Sequence, residues 1–249
     1  MTESAPRVTV VAGPEEVAAT ACDIVLSAAR DAIARSAAFR IALAGGSTPR
    51  RLYERLAARD DADFAHWHVF FGDERWVPAD HPDSNFRMAG EALLGRVPIP
   101  ARQVHRIDTT AGSPDRAARL YAMSVVRALA PEPGSMPRLD LVLLGLGADG
   151  HTASLFPGSS ALAAAPHEIA VATWVAAQRA WRVTLTASAI NAARAVVFLV
   201  SGGDKARALA RVVNTSRSDA PPAAAIRPRD GQVLFVVDEA AAAGLADPS

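Results

Sequence analysis

The feature that most narrows the fold of this chain is the stretch Leu139–Gly158, which reads L-D-L-V-L-L-G-L-G-A-D-G-H-T-A-S-L-F-P-G. Its first part, Leu139–Leu144, is too short for a helix and shows no polar alternation, as expected of a strand buried on both faces of a parallel sheet. Gly145, Gly147 and Gly150 then break the run, so the chain leaves the sheet at the strand's carboxyl end and presents Asp149 and His151 on a loop. Open α/β sheets bind their ligands at such loops. The three glycines also satisfy G-x-G-x-x-G, but the dinucleotide reading fails on context. That fingerprint opens a long helix and is followed about 20 residues later by an acidic residue that ends the next strand. Here Pro157 and Gly158 interrupt any helix, and Glu168 precedes the next apolar run.

Strand and helix signals alternate along the rest of the chain. Val8–Ala12 reads as a strand and Pro14–Arg35 as a helix, with Val17, Ala21, Ile24, Val25 and Ala28 at helical spacing. Phe39–Ala44 is the next strand, running into Gly45-Gly46-Ser47-Thr48-Pro49 and a helix marked by Leu52, Tyr53 and Leu56. Thr48 is a good N-cap and Pro49 a good first helical residue. Free N–H groups and the positive end of the helix dipole would meet there as an anion site. Val69–Gly72 is strand-like and ends in Asp73-Glu74-Arg75, read as charges at a sheet edge open to solvent. Trp76–Phe86 is a polar, proline-containing loop before a helix near Arg87–Leu94.

Ser113–Leu129 is a further predicted helix, Ile169–Val175 and Trp181–Leu185 are predicted strands, and Ala187–Arg194 is a predicted helix. Ala195–Val200 is an apolar strand followed by Ser201-Gly202-Gly203-Asp204-Lys205 and a helix through Val213. Gln232–Val237 and Glu239–Leu245 supply a last strand and a closing helix. Such alternation predicts an α/β fold: a doubly wound, mainly parallel sheet with helices on both faces, Rossmann-like, in a single domain over 1–249.

Composition removes several classes of function. Formal net charge is zero, so no global field draws the chain to nucleic acid or an anionic membrane. No apolar stretch approaches the roughly 18 residues of a membrane span, and Met1–Val10 lacks a basic region followed by an apolar segment. Cys22 is the only cysteine, which suits a reducing compartment. The expectation is a soluble, cytoplasmic protein. His66, His68 and His81 lack a convincing metal-ligand spacing. Lys205 is the only lysine in a chain that otherwise uses arginine, which singles it out as a place for a compact ammonium.

The strand ends therefore gather the Gly45-Gly46-Ser47-Thr48 turn, Arg75, the His151 loop, Arg182 and Lys205. Together they suit a phosphorylated small molecule and one histidine poised for proton transfer, since an imidazole with an ordinary pKa of about 6.5 is the natural general base near neutrality. Asp149 either orients that imidazole or holds a substrate hydroxyl.

Ala44–Pro49, Gly72-Asp73-Glu74-Arg75-Trp76-Val77-Pro78 with Asp80-His81 and Asp83-Ser84-Asn85, Gly145–Pro157, Arg182-Val183-Thr184, and Gly203 with Lys205 resemble the 6-phosphogluconolactonase family over nearly the whole chain. The resemblance implies hydrolysis of 6-phosphoglucono-1,5-lactone to 6-phosphogluconate without metal or organic cofactor. It implies His151 and Asp149 as catalytic residues, and Gly45, Gly46, Ser47, Thr48, Asp73, Arg75, Arg182 and Lys205 around the substrate. The only partner expected is a small sugar-phosphate lactone, with no nucleic acid and no membrane, and the protein is expected as a monomer or small homo-oligomer. A serine-hydrolase route would need a G-x-S-x-G elbow, which is missing. The related glucosamine-6-phosphate deaminases share the Gly-Ser-Thr-Pro turn, the D-G-H loop and the Arg-Val-Thr segment, but carry a glutamate in the histidine loop where this chain reads Leu155-Phe156-Pro157. A non-catalytic sugar-phosphate sensor would need an output module, and no basic helix-turn-helix pattern precedes the second strand.

Overall fold

The computed structural model describes residues 6–214 and 220–245. Its strands are β1 (Arg7–Val11), β2 (Phe39–Leu43), β3 (Trp67–Phe71), β4 (Asp73–Arg75), β5 (Leu141–Gly145), β6 (Ala170–Val175), β7 (Ala180–Leu185), β8 (Ala195–Val200) and β9 (Gln232–Asp238). The helices are α1 (Pro14–Ser36), α2 (Ser47–Ala57), α3 (Asn85–Ala89), α4 (Pro114–Leu129), α5 (Ala187–Asn191), α6 (Ala206–Val213) and α7 (Glu239–Ala242), with single 3₁₀ turns between them.

Six strands form one parallel sheet in the order β1-β9-β8-β5-β2-β3. Successive strands β2 and β3 step toward one edge, whereas β5, β8 and β9 step toward the other. The direction of winding therefore reverses between β2 and β5, and a crevice opens outside their carboxyl ends. In β5, Leu141, Val142 and Leu143 have no exposed surface, which explains an apolar run without alternation. The ladder starts at Leu141 because Asp140 is diverted: its carboxylate accepts the Arg40 N–H at 2.9 Å and the Arg35 guanidinium at 2.5 Å.

Two features depart from the expected fold. The strands predicted at Ile169–Val175 and Trp181–Leu185 do not join the parallel sheet. They are β6 and β7, which pair with each other and with β4 in a separate antiparallel sheet, order β4-β7-β6. The connection from Val175 to Ala180 is a single 3₁₀ turn ending at Arg179 in the left-handed region, and so short a link permits only antiparallel pairing. Nor do Asp73 and Glu74 face solvent, whereas Arg75 stays partly exposed. Asp73 and Glu74 are only 6% and 3% exposed, because donors from distant segments surround both carboxylates.

Helix boundaries move where a backbone turn overrides side-chain preference. α2 starts at Ser47 instead of after Thr48, because Gly46 adopts φ 110°, a conformation that favours glycine, and turns the chain one residue earlier. Thr48 is therefore inside the first turn and caps nothing. α3 starts at Asn85 because the Ser84 hydroxyl accepts the Arg87 N–H, and it runs on into a π-helical turn over Gly90–Leu94. α5 stops at Asn191 instead of reaching Arg194, and the closing helix covers only Glu239–Ala242. Among the described residues no helix is long and apolar enough to cross a membrane.

Candidate active site

A cavity of about 230 Å³ lies at the carboxyl ends of the strands, at the point where the winding reverses. Gly45 after β2, Asp73 and Arg75 of β4, Gly145 at the end of β5 with Gly147 and His151 beyond it, Arg182 of β7 and Lys205 before α6 all line it.

The loop after β5 is wound tightly so that His151 folds back toward the strand. Gly147 N–H donates to the His151 carbonyl at 2.9 Å and Gly150 N–H to the Gly147 carbonyl at 2.9 Å. The Thr152 hydroxyl ties the loop's far side to the Gly145 carbonyl at 2.8 Å. Gly147 is glycine because a Cβ there would overlap both the His151 ring and the Asp149 carboxylate. Gly150 is glycine because its φ is +83° and Pro221 packs against it.

Asp149 Oδ1 accepts the His151 backbone N–H at 3.0 Å and lies 2.5 Å from the ring Nδ1. An ionised carboxylate can only accept, so Nδ1 carries the proton, and in the neutral imidazole Nε2 is then the acceptor nitrogen. Burial acts to raise the Asp149 carboxyl, but the backbone and ring N–H groups of His151 outweigh it and hold the group below the ordinary range. Asp149 therefore stays anionic through neutrality. Phe156 stacks on the imidazole, with centroids 4.0 Å apart and planes at 22°, restricting the ring while 28% of the side chain remains exposed to the cavity.

Two arginines line the cavity from the antiparallel sheet. Arg75 and Arg182 are directly paired in the β4–β7 ladder, an arrangement that is unfavourable for like charges unless an anion lies between or beside them. Each has a buried Nε without a partner. Arg182 is only 8% exposed; its Nη2 donates to Gln178 Oε1 and its Nη1 lies 3.7 Å from Asp73 Oδ2. Burial lowers the Arg182 guanidinium from its ordinary value, against the opposing pull of Asp73. Asp73 is held in turn by the Ser154 hydroxyl at 2.6 Å and Asn85 Nδ2 at 3.1 Å. Asp73 is thus held in place beside Arg182 as its nearest counter-charge.

Glu74 points the other way. It accepts the N–H groups of Arg75, Asn85 and Phe86 and the Ser84 hydroxyl, pinning the 76–86 loop back onto β4. Burial pushes its carboxyl up, and the backbone donors only partly offset the rise. Lys205 also lines the cavity, and its Nζ lies 2.7 Å from Asp204 Oδ2.

Of the residues singled out from the sequence, Gly45, Asp73, Arg75, His151, Arg182 and Lys205 line the cavity together. Gly46, Ser47, Thr48 and Asp149 do not; Asp149 acts from behind His151. The α2 terminus still has no side-chain cap, so the first-turn N–H groups of Ser47 and Thr48 have no helical acceptor and remain available to an anion. The second Gly-Gly turn is different, because the Gly202 N–H is taken by the Asp238 carboxylate at 3.0 Å. Gln178 and the stacking role of Phe156 went unread in the sequence. Phe156 sits within a motif already noticed, whereas nothing local marks Gln178, which reaches the cavity only because β6 and β7 form a hairpin above it. Among the described residues no group of three or more His, Cys, Asp or Glu side chains is placed to hold a metal ion.

Comparison with known proteins gives the family of the chain. Residues 12–235 match the family described as glucosamine-6-phosphate isomerases/6-phosphogluconolactonase. The chain is 43% identical over 235 residues to a 6-phosphogluconolactonase of Nostoc sp., covering 93% of this chain and 96% of that protein. It is 40% identical over 242 residues to a 6-phosphogluconolactonase of Synechocystis sp., covering 97% of this chain and 99% of the relative. Among solved structures, the 6-phosphogluconolactonase from Trypanosoma cruzi superposes with a TM-score of 0.88 at 31% identity, covering 99% of each chain.

Proposed function

Since the chain belongs to the family of glucosamine-6-phosphate isomerases and 6-phosphogluconolactonases, we propose that it hydrolyses 6-phospho-D-glucono-1,5-lactone to 6-phospho-D-gluconate, the second step of the pentose phosphate pathway, with His151 as general base. The observation that carries the mechanism is the 2.5 Å contact between the His151 ring Nδ1 and Asp149, on an imidazole that lines a cavity together with Arg75, Arg182 and Lys205.

In this reading Nε2 removes a proton from a water that attacks the lactone carbonyl. The imidazolium so formed is stabilised by Asp149 and returns the proton to the ring oxygen as the C–O bond breaks. The step balances with water alone, leaving one hydroxyl and one carboxylic acid that then ionises and releases its proton to solvent, and it requires no covalent enzyme intermediate. Ser47 contributes N–H and hydroxyl groups at the α2 terminus and is not a nucleophile. Arg75, Arg182, Lys205 and the Gly45–Thr48 turn hold the phosphate and sugar hydroxyls, while Asp73 keeps Arg182 in place. The working unit is the single domain 1–249, a monomer or small homo-oligomer. Its one cysteine, Cys22, is buried, in keeping with a reducing, cytoplasmic setting.

The experiment is a lactonase assay on freshly generated 6-phosphogluconolactone, corrected for spontaneous hydrolysis, run beside ammonia release from glucosamine 6-phosphate. We expect lactone turnover in the ordinary enzymatic range of roughly 1–10³ s⁻¹ and no ammonia. Ammonia release without lactonase activity would overturn the assignment in favour of the deaminase branch, against which Leu155-Phe156-Pro157 offers no acid for ring opening. Tight binding without turnover of either compound would indicate a sensor.

A further inference from the structure

A second cavity, larger than the candidate active site, lies at the other end of the parallel sheet. It measures about 820 Å³ and opens between the amino ends of β2, β5, β8 and β9. That volume falls in the range of about 300–1,000 Å³ typical of small-molecule sites. Nothing in the lactonase mechanism uses it.

Its charge is unbalanced. Arg40, Arg138, Arg194, Arg227 and Arg229 line it against the carboxylates Glu132, Asp140 and Asp230, five cations to three anions. Only Asp140 is buried, and it is already committed to Arg35 at 2.5 Å, Arg194 at 3.4 Å and Arg40 at 3.6 Å. Among the described residues no carboxylate comes within ion-pair range of Arg138, Arg227 or Arg229. Arg138 donates to the Asp230 carbonyl and Arg227 Nε to the Ala224 carbonyl, bonds that leave both charges uncompensated. The Nε of Arg138 is buried with no partner at all. Folding has thus drawn these guanidiniums together from four segments of the chain without supplying their counter-charge.

Arginine's planar fork matches phosphate oxygens two at a time, and cations spread around so wide a cavity call for more than one such group. Leu129, Pro131, Met136 and Pro166 form an apolar side of the same cavity, suited to the uncharged part of an organic ligand. Burial, and then the fields of Arg35 and Arg138, lower the Arg194 guanidinium in spite of Asp140, as a cluster short of anions requires. We infer that this cavity is a second ligand site, separate from the catalytic cleft, for a small molecule carrying two or more phosphate groups.

The test is calorimetric titration of the full chain with inorganic tripolyphosphate and with orthophosphate at one fixed ionic strength near 0.1 M, where exposed charges are screened beyond about 10 Å. Tripolyphosphate should bind at least about tenfold more tightly than orthophosphate. That binding should weaken about tenfold or more in Arg138→Gln and in the double variant Arg227→Gln/Arg229→Gln, with lactonase kcat/KM unchanged in both. The double variant alters exposed side chains, so it carries the test if Arg138→Gln fails to fold. Equal affinity for the two anions, or undiminished tripolyphosphate binding in the double variant, would overturn the inference; the latter would put the anion in the catalytic cleft.

Discussion

Gly147→Ala probes how closely the His151 ring is positioned, because it adds one methyl group and removes no charge or hydrogen bond. The new Cβ would overlap the imidazole and stand 2.6 Å from Asp149 Oδ1. Ordinary contact lies near 3.5 Å, so the Asp149–His151 pair would have to retreat by about 1 Å. Gly147 is not among the glycines with positive φ, so alanine brings no left-handed strain, and loss of glycine's freedom in the unfolded chain offsets part of any packing cost by about 0.4–1 kcal/mol. The colliding atoms are the ends of partly exposed side chains, which can give way without moving the sheet. A misplacement of about 1 Å at a reacting group lowers rate on the order of 10²-fold, or about 2.7 kcal/mol of transition-state stabilisation. Steady-state kinetics and thermal melting should therefore show kcat down about 10²-fold, KM nearly unchanged because Arg75, Arg182 and Lys205 are untouched, and Tm within a few degrees of wild type. Wild-type kcat would refute the argument that the loop holds His151 in register. A fall in Tm matching the fall in activity would move the effect from the site to the fold. Gly150→Ala is the contrasting control. With φ +83° and Pro221 against it, that substitution should cost about 1–2 kcal/mol of stability and lower Tm.

Lys205→Ala should lower kcat/KM for the phosphorylated lactone by roughly 10- to 100-fold, an ammonium–phosphate interaction partly offset by the existing pair with Asp204. Unphosphorylated gluconolactone should scarcely respond, and an equal loss on both lactones would remove Lys205 from the phosphate. Gln178→Ala, which frees Arg182 Nη2, should raise KM severalfold with a smaller change in kcat; an unchanged KM would mean that Asp73 alone fixes the guanidinium. His105 is pushed down to about 4 by burial and then by the nearby His68. The unfolded chain takes up that proton first, at an ordinary value near 6.5, so the stability His105 contributes is intact above pH 6.5 and is lost as pH falls toward 4. Melting curves of His105→Gln should accordingly show a shallower loss of Tm across that window than wild type, and parallel slopes would contradict the assignment.

The parallel sheet was legible because burial on both faces leaves a simple mark, a short apolar run ended by glycine, and β2, β5 and β8 all carry it. The antiparallel sheet was not, since β6 and β7 have the same local pattern and only the brevity of the Ala176–Arg179 turn betrays their pairing. Asp73 and Glu74 read as solvated charges because the groups that permit their burial, Ser154, Asn85 and Arg182, are distant in sequence. The start of α2 depended on one backbone angle at Gly46, to which side-chain preferences are blind. His151 could be found because its glycine-rich loop is local. Gln178 could not, because it is placed by tertiary pairing alone.

The central claim is that the His151 imidazole accepts the proton of the attacking water. Its most direct test is the kcat of His151→Ala on freshly generated 6-phosphogluconolactone, measured with and without added imidazole, beside the melting temperature. The account predicts a fall of at least about 10²-fold in kcat, an unchanged melting temperature, and partial recovery of rate on adding imidazole. A folded His151→Ala enzyme that turns over near the wild-type rate would contradict it.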